Sequence, residues 1–399
     1  MITDAQLEKY AGVLMWGMRR ARGRAFRKGD LVLVRYDMSA VRLAEAVYRL
    51  LLERGLHVVQ RVTHTPAMER SFYGLAGRSQ LLFRAPGETE LHGRLNGLIT
   101  LRAPDGMTHL KGVDPGRIAV AARARKHLGD ILDRREAEGA FGWTLCLYPT
   151  SELATHARMG LDEYTRQIVQ ACRLDEDDPV KWWEETYRQV GEIRKWLNAL
   201  KIDSLRVESD RVDLVVRLGG SRKWVGISGH NIPSFELFVS PDWRGTTGRY
   251  YADQPSYRNG NYVRGVGLEF REGEAVRAWA EEGEEFLRAQ MAMDKGASRI
   301  GEFSLTDRRF SRISAFMAST LYDENYGGEN GNCHIALGDS YTDTYDGDAT
   351  RLSTARKRAL GFNDSALHWD LVNTEKKRVT AELVGGGRVL VYEDGRFAC

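Results

Sequence analysis

The apolar and polar positions of the chain follow two patterns, one in each half. In the first half, short apolar runs at 30–34, 57–62, 97–101 and 143–148 alternate with segments whose apolar residues recur every three or four positions. The runs are typical of buried parallel strands, and the recurring spacing is typical of amphipathic helices. Strands that alternate with helices predict a parallel sheet covered by helices, which is a Rossmann-like arrangement.

From about residue 203 the pattern changes to short runs of alternating apolar and polar residues, separated by glycine, asparagine and aspartate. Such runs predict the strands and turns of a second domain. Residues 275–294 predict one long helix that interrupts these strands, and the tail predicts a terminal hairpin around the three glycines at 385–387. The sequence therefore predicts an α/β protein with a Rossmann-like N-terminal domain at 1–202 and a mixed α+β domain at 203–399.

Length and charge narrow the classes of protein. The chain has 399 residues, 42% of them hydrophobic, which is enough for two domains with buried cores. The net charge is only +3, and both signs are interleaved along the chain. Because no large basic surface is implied, we expect no nucleic-acid partner.

Cysteines and termini indicate the compartment. None of the four cysteines forms a C-x-x-C pair, so we expect a reducing environment rather than a disulfide framework. The N-terminus carries early acidic residues and has no apolar core typical of a signal peptide. No apolar run approaches the roughly 20 residues that cross a bilayer. A cytoplasmic protein without a membrane partner is expected.

Several familiar catalytic motifs are missing. The sequence has no P-loop and no G-x-G-x-x-G between a strand and a helix, so the first half is expected to act as a scaffold rather than a nucleotide site. It also has no H-E-x-x-H and no G-x-S-x-G. Cys333 and His334 are adjacent, and adjacent residues on a strand point to opposite faces, which excludes a dyad between them.

Carboxylates and histidines in short, glycine-bounded runs remain as candidate chemistry. His368 and Asp370 would share one face of a strand, and an imidazole beside a carboxylate is a natural ligand pair for zinc. Glu302 follows Gly301 in an apolar run, where a carboxylate is costly to bury without a partner. A buried salt bridge would explain Glu302 equally well, and a satisfied core histidine would explain His334 if it stood alone.

Taken in order, these runs resemble the M29 family of metallo-aminopeptidases. The resemblance is carried by Gly301-Glu302, Asp323-Glu324-Asn325, His334-Ile335-Ala336-Leu337-Gly338, Tyr341, His368-x-Asp370 and the earlier run at 231–241. It implies that the metal ligands are Glu236, Glu302, Glu329, His334, His368 and Asp370. For the ligand that precedes the histidine strand, a fixed number of residues counted back from His334 favours Glu329. The match to the Asp-Glu-Asn motif favours Glu324 instead. Glu329 is the preferred assignment. His230, Asn231 and Asp323 are expected to be structural or to lie outside the ligand shell.

The resemblance also implies a mechanism. Four carboxylates and two imidazoles can hold two divalent ions (zinc, cobalt or manganese), provided that a carboxylate bridges them. The expected activity is the release of N-terminal amino acids from short peptides by a metal-activated hydroxide. Glu302 is the expected bridging ligand and proton shuttle, and Tyr341 is expected to donate a hydrogen bond to the developing oxyanion. The family resemblance further implies a homodimer with a secluded active site.

Two alternatives stay open at this level. A ring-cleaving dioxygenase of similar fold would hold a single iron with His334, His368 and Asp370. The three additional glutamates argue against it, because one iron would leave them unpaired. A binding protein on the same scaffold would take up metal without turnover. Metal count and catalysis separate the three possibilities.

Overall fold

The computed structural model describes residues 1–348 and 351–399. These residues form two units, one comprising Met1–Trp183 and Ser228–Ile232, the other Glu184–Ile227 and Pro233–Cys399. This division falls within a helix, whereas the predicted boundary between a scaffold and a catalytic domain lies after residue 202. That functional boundary stays a prediction.

The helices and strands are numbered in chain order. The α-helices are α1 (Asp4–Arg22), α2 (Val41–Glu53), α3 (Pro66–Leu75), α4 (Arg78–Leu81), α5 (Glu88–Arg94), α6 (Pro115–Ala137), α7 (Ser151–His156), α8 (Leu161–Ala171), α9 (Pro179–Ala199), α10 (Glu284–Met291), α11 (Thr320–Asp323) and α12 (Thr354–Ala359). The strands are β1 (Leu31–Tyr36), β2 (His57–Val62), β3 (Gly97–Arg102), β4 (Gly142–Leu147), β5 (Ile202–Glu208), β6 (Asp213–Arg217), β7 (Val225–Gly226), β8 (Asn231–Ile232), β9 (Glu236–Val239), β10 (Thr247–Ala252), β11 (Ser256–Arg258), β12 (Asn261–Val263), β13 (Val266–Arg271), β14 (Glu274–Trp279), β15 (Ile300–Thr306), β16 (Asn332–Gly338), β17 (His368–Asn373), β18 (Arg378–Leu383), β19 (Arg388–Glu393) and β20 (Arg396–Phe397).

A parallel sheet forms the centre of the first unit. Its strand order is β2-β1-β3-β4-β8, and every pair is parallel. Helix α1 packs closely on β4, because a Cβ added at Gly142 would lie 2.5 Å from the backbone nitrogen of Arg22. Thr3 caps the start of α1, and Gly23 ends it in the left-handed conformation. The parallel, helix-covered sheet predicted from the first half is confirmed.

Antiparallel sheets build the second unit. One has the order β14-β13-β10-β6-β5-β18-β19-β20, and another has the order β17-β16-β15-β9-β7. In the latter sheet, β15 and β16 are buried at each of their residues. The predicted terminal hairpin is confirmed as β18 and β19, and the glycines at 385–387 all have positive φ. The mixed architecture matches the predicted α/β class.

The long helix predicted at 275–294 is wrong. Residues Glu274–Trp279 form β14, which pairs with β13, and only Glu284–Met291 are helical. Gly283 stands between them with φ 78°, in the left-handed region. Pairing with a strand that is already in place outweighs the helical composition of the segment.

Among the described residues, no helix combines the length and apolar character that crossing a membrane requires.

Candidate metal centre

The sheet β17-β16-β15-β9-β7 brings five of the six predicted ligands to one face. Across its strands, Glu302 opposes Ala336, and Ala336 opposes Asp370. Directly opposed residues of antiparallel strands share a face, as do residues two apart on one strand. His334 is two residues before Ala336, and His368 is two residues before Asp370. Glu302, His334, His368 and Asp370 therefore project from the same side of the sheet.

Glu236 joins this face from β9. It opposes Thr306, which is two residues after Ser304 on β15. The Ser304 hydroxyl donates a hydrogen bond of 3.0 Å to Glu236 Oε2, and Ser304 itself opposes His334 on β16. Ser304 thus fixes the direction of the Glu236 side chain toward His334.

The polar atoms of these residues converge. His334 Nε2 lies 3.1 Å from Glu302 Oε1, 3.4 Å from Glu236 Oε2 and 3.9 Å from Asp370 Oδ1. His368 Nε2 lies 3.4 Å from Asp370 Oδ1 and 3.8 Å from Glu302 Oε2. Two ligands that each lie about 2.1 Å from one ion are separated by about 3.0–3.4 Å in octahedral or tetrahedral geometry. The cluster, with Glu236, Glu302 and His334 at its core, has the spacing of a metal-binding site.

Residue 301, just before Glu302, has no space for a side chain larger than that of glycine. A Cβ at position 301 would lie 2.1 Å from the carbonyl oxygen of Asp339. The same carbonyl accepts a hydrogen bond of 3.0 Å from Nδ1 of His368. This contact fixes the imidazole so that Nε2 faces the carboxylates, which is the usual arrangement of a metal-binding histidine.

Glu324, not Glu329, lies with the cluster. Glu324 is 7% exposed, and its electrostatic neighbours include Glu236, Asp370 and Glu302. Glu329 is exposed, and none of the described ion pairs of the cluster includes it. The structure therefore does not bring the preferred residue of the sequence-based assignment to this site and brings the alternative instead.

The residues on either side of Glu324 explain its position. The Asp323 carboxylate accepts hydrogen bonds from the backbone nitrogens of Met317 (2.7 Å) and Ser319 (2.9 Å). Asn325 Oδ1 accepts one of 2.6 Å from the backbone nitrogen of Phe235, the residue before Glu236. Asp323 and Asn325 thus anchor the loop on both sides and hold Glu324 over the start of β9.

Negative charge is crowded in this site. Burial raises the pKa of Glu236 to about 7, with the carboxylates of Glu302 and Asp370 adding to the effect and His334 opposing it. Burial and the same kind of crowding raise the pKa of Glu324 well above its usual value. Burial alone would lower the pKa of His334, but its hydrogen bond to Glu302 and the charges of Glu236 and Asp370 raise it to about 9. A divalent cation would relieve this repulsion, so the donor set fits such an ion.

Tyr341 lies at the edge of the cluster. Its ring centroid is 4.6 Å from that of His368, and 44% of the residue is exposed. Its backbone nitrogen donates a hydrogen bond of 2.8 Å to Ser240 Oγ, which fixes the start of the turn Thr342–Thr344. Burial on its inner side and the charges of Glu302 and Asp370 raise the pKa of Tyr341 well above its usual value. The phenol therefore stays protonated and can donate a hydrogen bond near neutral pH.

Sequence reasoning missed two neighbours of the ligands. Ser304 could have been found from its position two residues after Glu302 on the same strand. Arg258 donates a hydrogen bond of 2.9 Å to the carbonyl oxygen of His368, and its charge acts on Asp370. No local motif marks Arg258, because it comes from β11, more than 100 residues before its contact.

His230 belongs to the first unit. Its Nε2 is 2.5 Å from Glu136 Oε1, and its ring stacks on Trp143 at 4.3 Å. These contacts support a structural residue, and that role stays a prediction.

Comparisons with known proteins indicate what this chain is similar to. A model of the thermophilic metalloprotease (M29) family matches residues 3–397. The aminopeptidase T of Thermus thermophilus is 29% identical over 306 residues, which cover 72% of this chain and 73% of that protein. The aminopeptidase 2 of Geobacillus stearothermophilus is 26% identical over 99% of this chain and 98% of its own. The solved structure of wild-type AmpT from Thermus thermophilus shares the fold, with a TM-score of 0.80 at 23% identity over 99% of both chains.

The family model, the aminopeptidase 2 match and the solved structure each cover nearly the whole chain, and none of the comparisons supports the dioxygenase alternative. The family resemblance and the metal-dependent peptide hydrolase predicted from the sequence are confirmed. The chain belongs to the thermophilic metalloprotease (M29) family.

Proposed function

We propose that this protein is a metallo-aminopeptidase that removes the N-terminal residue from short peptides. The buried convergence of carboxylates and imidazoles on one face of the second unit's sheet, in a chain of the M29 family, carries the proposal. The relatives named above are aminopeptidases, which supports an exopeptidase rather than an endopeptidase. The homodimer and the cytoplasmic location expected from the sequence are part of the same proposal.

The proposed ligands differ from the sequence-based set at one position. They are Glu236, Glu302, Glu324, His334, His368 and Asp370, with Glu324 in place of Glu329. Six such donors suit two divalent ions among zinc, cobalt and manganese. When bound, such ions lower the pKa of water and polarise the peptide carbonyl.

The position of Glu302 between the two histidines supports its proposed role as a bridging ligand. Its Oε1 faces His334 and its Oε2 faces His368, so one carboxylate spans the two histidines. In the proposed mechanism Glu302 accepts the proton of the attacking water and delivers it to the leaving amine. Tyr341, protonated and partly exposed, donates a hydrogen bond to the carbonyl oxygen as negative charge develops there.

The proposal predicts a specific pattern of metal-restored activity. Protein stripped with a chelator should lose aminoacyl-anilide hydrolysis by at least about 1,000-fold, and zinc, cobalt or manganese should restore it. N-acetylated versions of the same anilides should stay uncleaved, because an aminopeptidase needs the free α-amine. Cleavage of acetylated substrates, or no cleavage with any of the three metals, would refute the proposal.

Metal affinity is predicted to rise with pH. For the metal-free protein, the pKa is about 9 for His334 and about 7 for Glu236, so protons occupy both groups below pH 7. Binding must displace these protons, and each released proton strengthens the apparent affinity about tenfold per pH unit. Competition against an indicator chelator at pH 6, 7 and 8 should therefore show at least a tenfold gain per unit. An affinity that stays flat over this range would contradict the ligand set.

A further inference from the structure

A basic cavity of about 680 Å³ lies beside the turn that carries Tyr341. It is lined by residues from three places in the second unit: the end of α9, the entry to β7, and the turn Thr342–Thr344. The lining residues with charged side chains are Arg194, Lys195, Lys223 and Asp343. The cavity is outside the set of residues that form the metal centre.

The cavity lies at the same sheet that carries the metal centre. Val225 of β7, which lines the cavity, opposes Phe238 of β9, and Phe238 opposes Ser304 of β15. These residues share the face from which Glu302 and His334 project. Lys223 is two residues before Val225, and its backbone nitrogen donates a hydrogen bond of 2.8 Å to the carbonyl oxygen of Thr344. The cavity is therefore at the β7 edge of the sheet, where its lining comes from both faces, since Trp224 also lines it and packs on Phe303 of the opposite face.

Two aromatic rings lie between the metal cluster and β7. The Tyr341 ring is 4.6 Å from His368 on one side and 6.0 Å from Phe238 on the other, centroid to centroid. From β15 to β7 the sheet spans two strand spacings, about 10 Å. An extended peptide covers that distance with about three residues.

The charge of the cavity selects for anions. Lys195 forms a salt bridge of 2.8 Å with Glu192. Arg194 and Lys223 form no salt bridge with any residue in the described part of the chain. With three cations and one carboxylate among its lining side chains, the cavity has a net positive lining. Partly buried cations without a partner favour a bound carboxylate.

We propose that this cavity binds the C-terminal carboxylate of the peptide substrate, with Arg194 and Lys223 as the recognising groups. The inference rests on the proposed aminopeptidase function and deepens it. The N-terminal residue lies at the metal centre, and the chain runs past Tyr341 and Phe238 to the β7 edge. Tripeptides and tetrapeptides have the length to reach both ends, whereas a dipeptide is too short. The site thus gives a physical origin to a preference for short peptides.

The test compares free-acid and C-terminally amidated forms of the same peptides. Leu-Gly-Gly and Leu-Gly-Gly-Gly as free acids should have kcat/KM values about tenfold above those of their amides, with the difference mainly in KM. The acid-to-amide ratio should fall as salt is raised from about 0.05 to 0.5 M, because the contact is electrostatic and partly exposed. For Leu-Gly the ratio should be close to one.

Substitutions of Arg194 and Lys223 test whether these two side chains cause the preference for the free acid. Lys223→Met and Arg194→Met should each reduce the acid-to-amide ratio to about threefold, and the double variant should bring it close to one. The amide of each peptide serves as the internal reference for folding and metal loading. Arg188→Met is the matched control, because Arg188 lies on α9 but is exposed, pairs with Glu185 and does not line the cavity. It should leave the ratio unchanged.

The outcomes separate this inference from the proposed function. Equal cleavage of acid and amide by the unmodified protein would overturn the carboxylate site and leave the aminopeptidase intact. A ratio that persists in the double variant would overturn the assignment to Arg194 and Lys223. If no peptide, acid or amide, is cleaved with any metal, the proposed function fails and the carboxylate site fails with it.

Discussion

Replacing Glu302 with glutamine is expected to reduce kcat by about 1,000-fold or more. Glutamine keeps the shape of the side chain but cannot accept the proton of the attacking water, and it is a poorer ligand between His334 and His368. The substitution also removes one negative charge from a crowded, buried cluster. Because the same charge pairs with His334 and His368, its loss is expected to lower the melting temperature of the metal-free variant, so activity is compared at a temperature where both proteins are folded.

Kinetics with metal analysis distinguish the two roles of Glu302. If it carries the proton, the variant loaded with both ions should still bind substrate with little change in KM while kcat falls. If it only holds the ions, the metal content should fall in parallel with kcat. Glu269→Gln is the matched control, since Glu269 is a partly exposed strand residue of the same unit that pairs with Arg271. A fully metallated Glu302→Gln protein that kept more than a tenth of kcat would exclude Glu302 as the proton carrier.

The strand-borne part of the site could be predicted because a strand has a fixed period. His368 and Asp370 are two apart, and once β17 pairs with β16 their side chains must share a face. Glu302 and His334 follow from the same rule on neighbouring strands. The period does not predict the register between strands. The register places Glu302 level with Asp370, and it depends on the whole sheet.

The loop-borne part could not be predicted in the same way. Seven residues separate Glu324 from Asn332, the first residue of β16, and spacing along such a loop does not say which carboxylate turns inward. That choice is made by contacts distant in sequence, above all the hydrogen bond from the backbone of Phe235 to Asn325, 90 residues away. Arg258 escaped prediction for the same reason.

The segment at 275–294 shows the same limit for secondary structure. Its charged and small residues suit a helix, yet residues 274–279 pair with β13 instead. Local composition could not reveal the partner strand, and the partner decides the conformation.

The second large expected effect concerns metal binding, which should depend on Glu324 and not on Glu329. Glu324→Gln is expected to weaken binding of one of the two proposed ions by about 100-fold or more and to lower kcat/KM at limiting metal by a similar factor, because a buried ligand is lost. Glu329→Gln is expected to change both by less than twofold, since Glu329 is exposed and outside the described ion pairs of the cluster. Titration of the metal-free proteins, followed by calorimetry and by recovered activity, measures both quantities.

This pair of variants is informative because each serves as the control for the other. Both replace one carboxylate with an amide, and both positions lie in the same loop, so a general effect of charge would appear in both. A loss confined to Glu324→Gln would establish that the anchors at Asp323 and Asn325, rather than distance from His334 along the chain, select the ligand. A loss confined to Glu329→Gln would mean that the loop rearranges when metal binds, so that the buried position of Glu324 does not persist in the loaded enzyme.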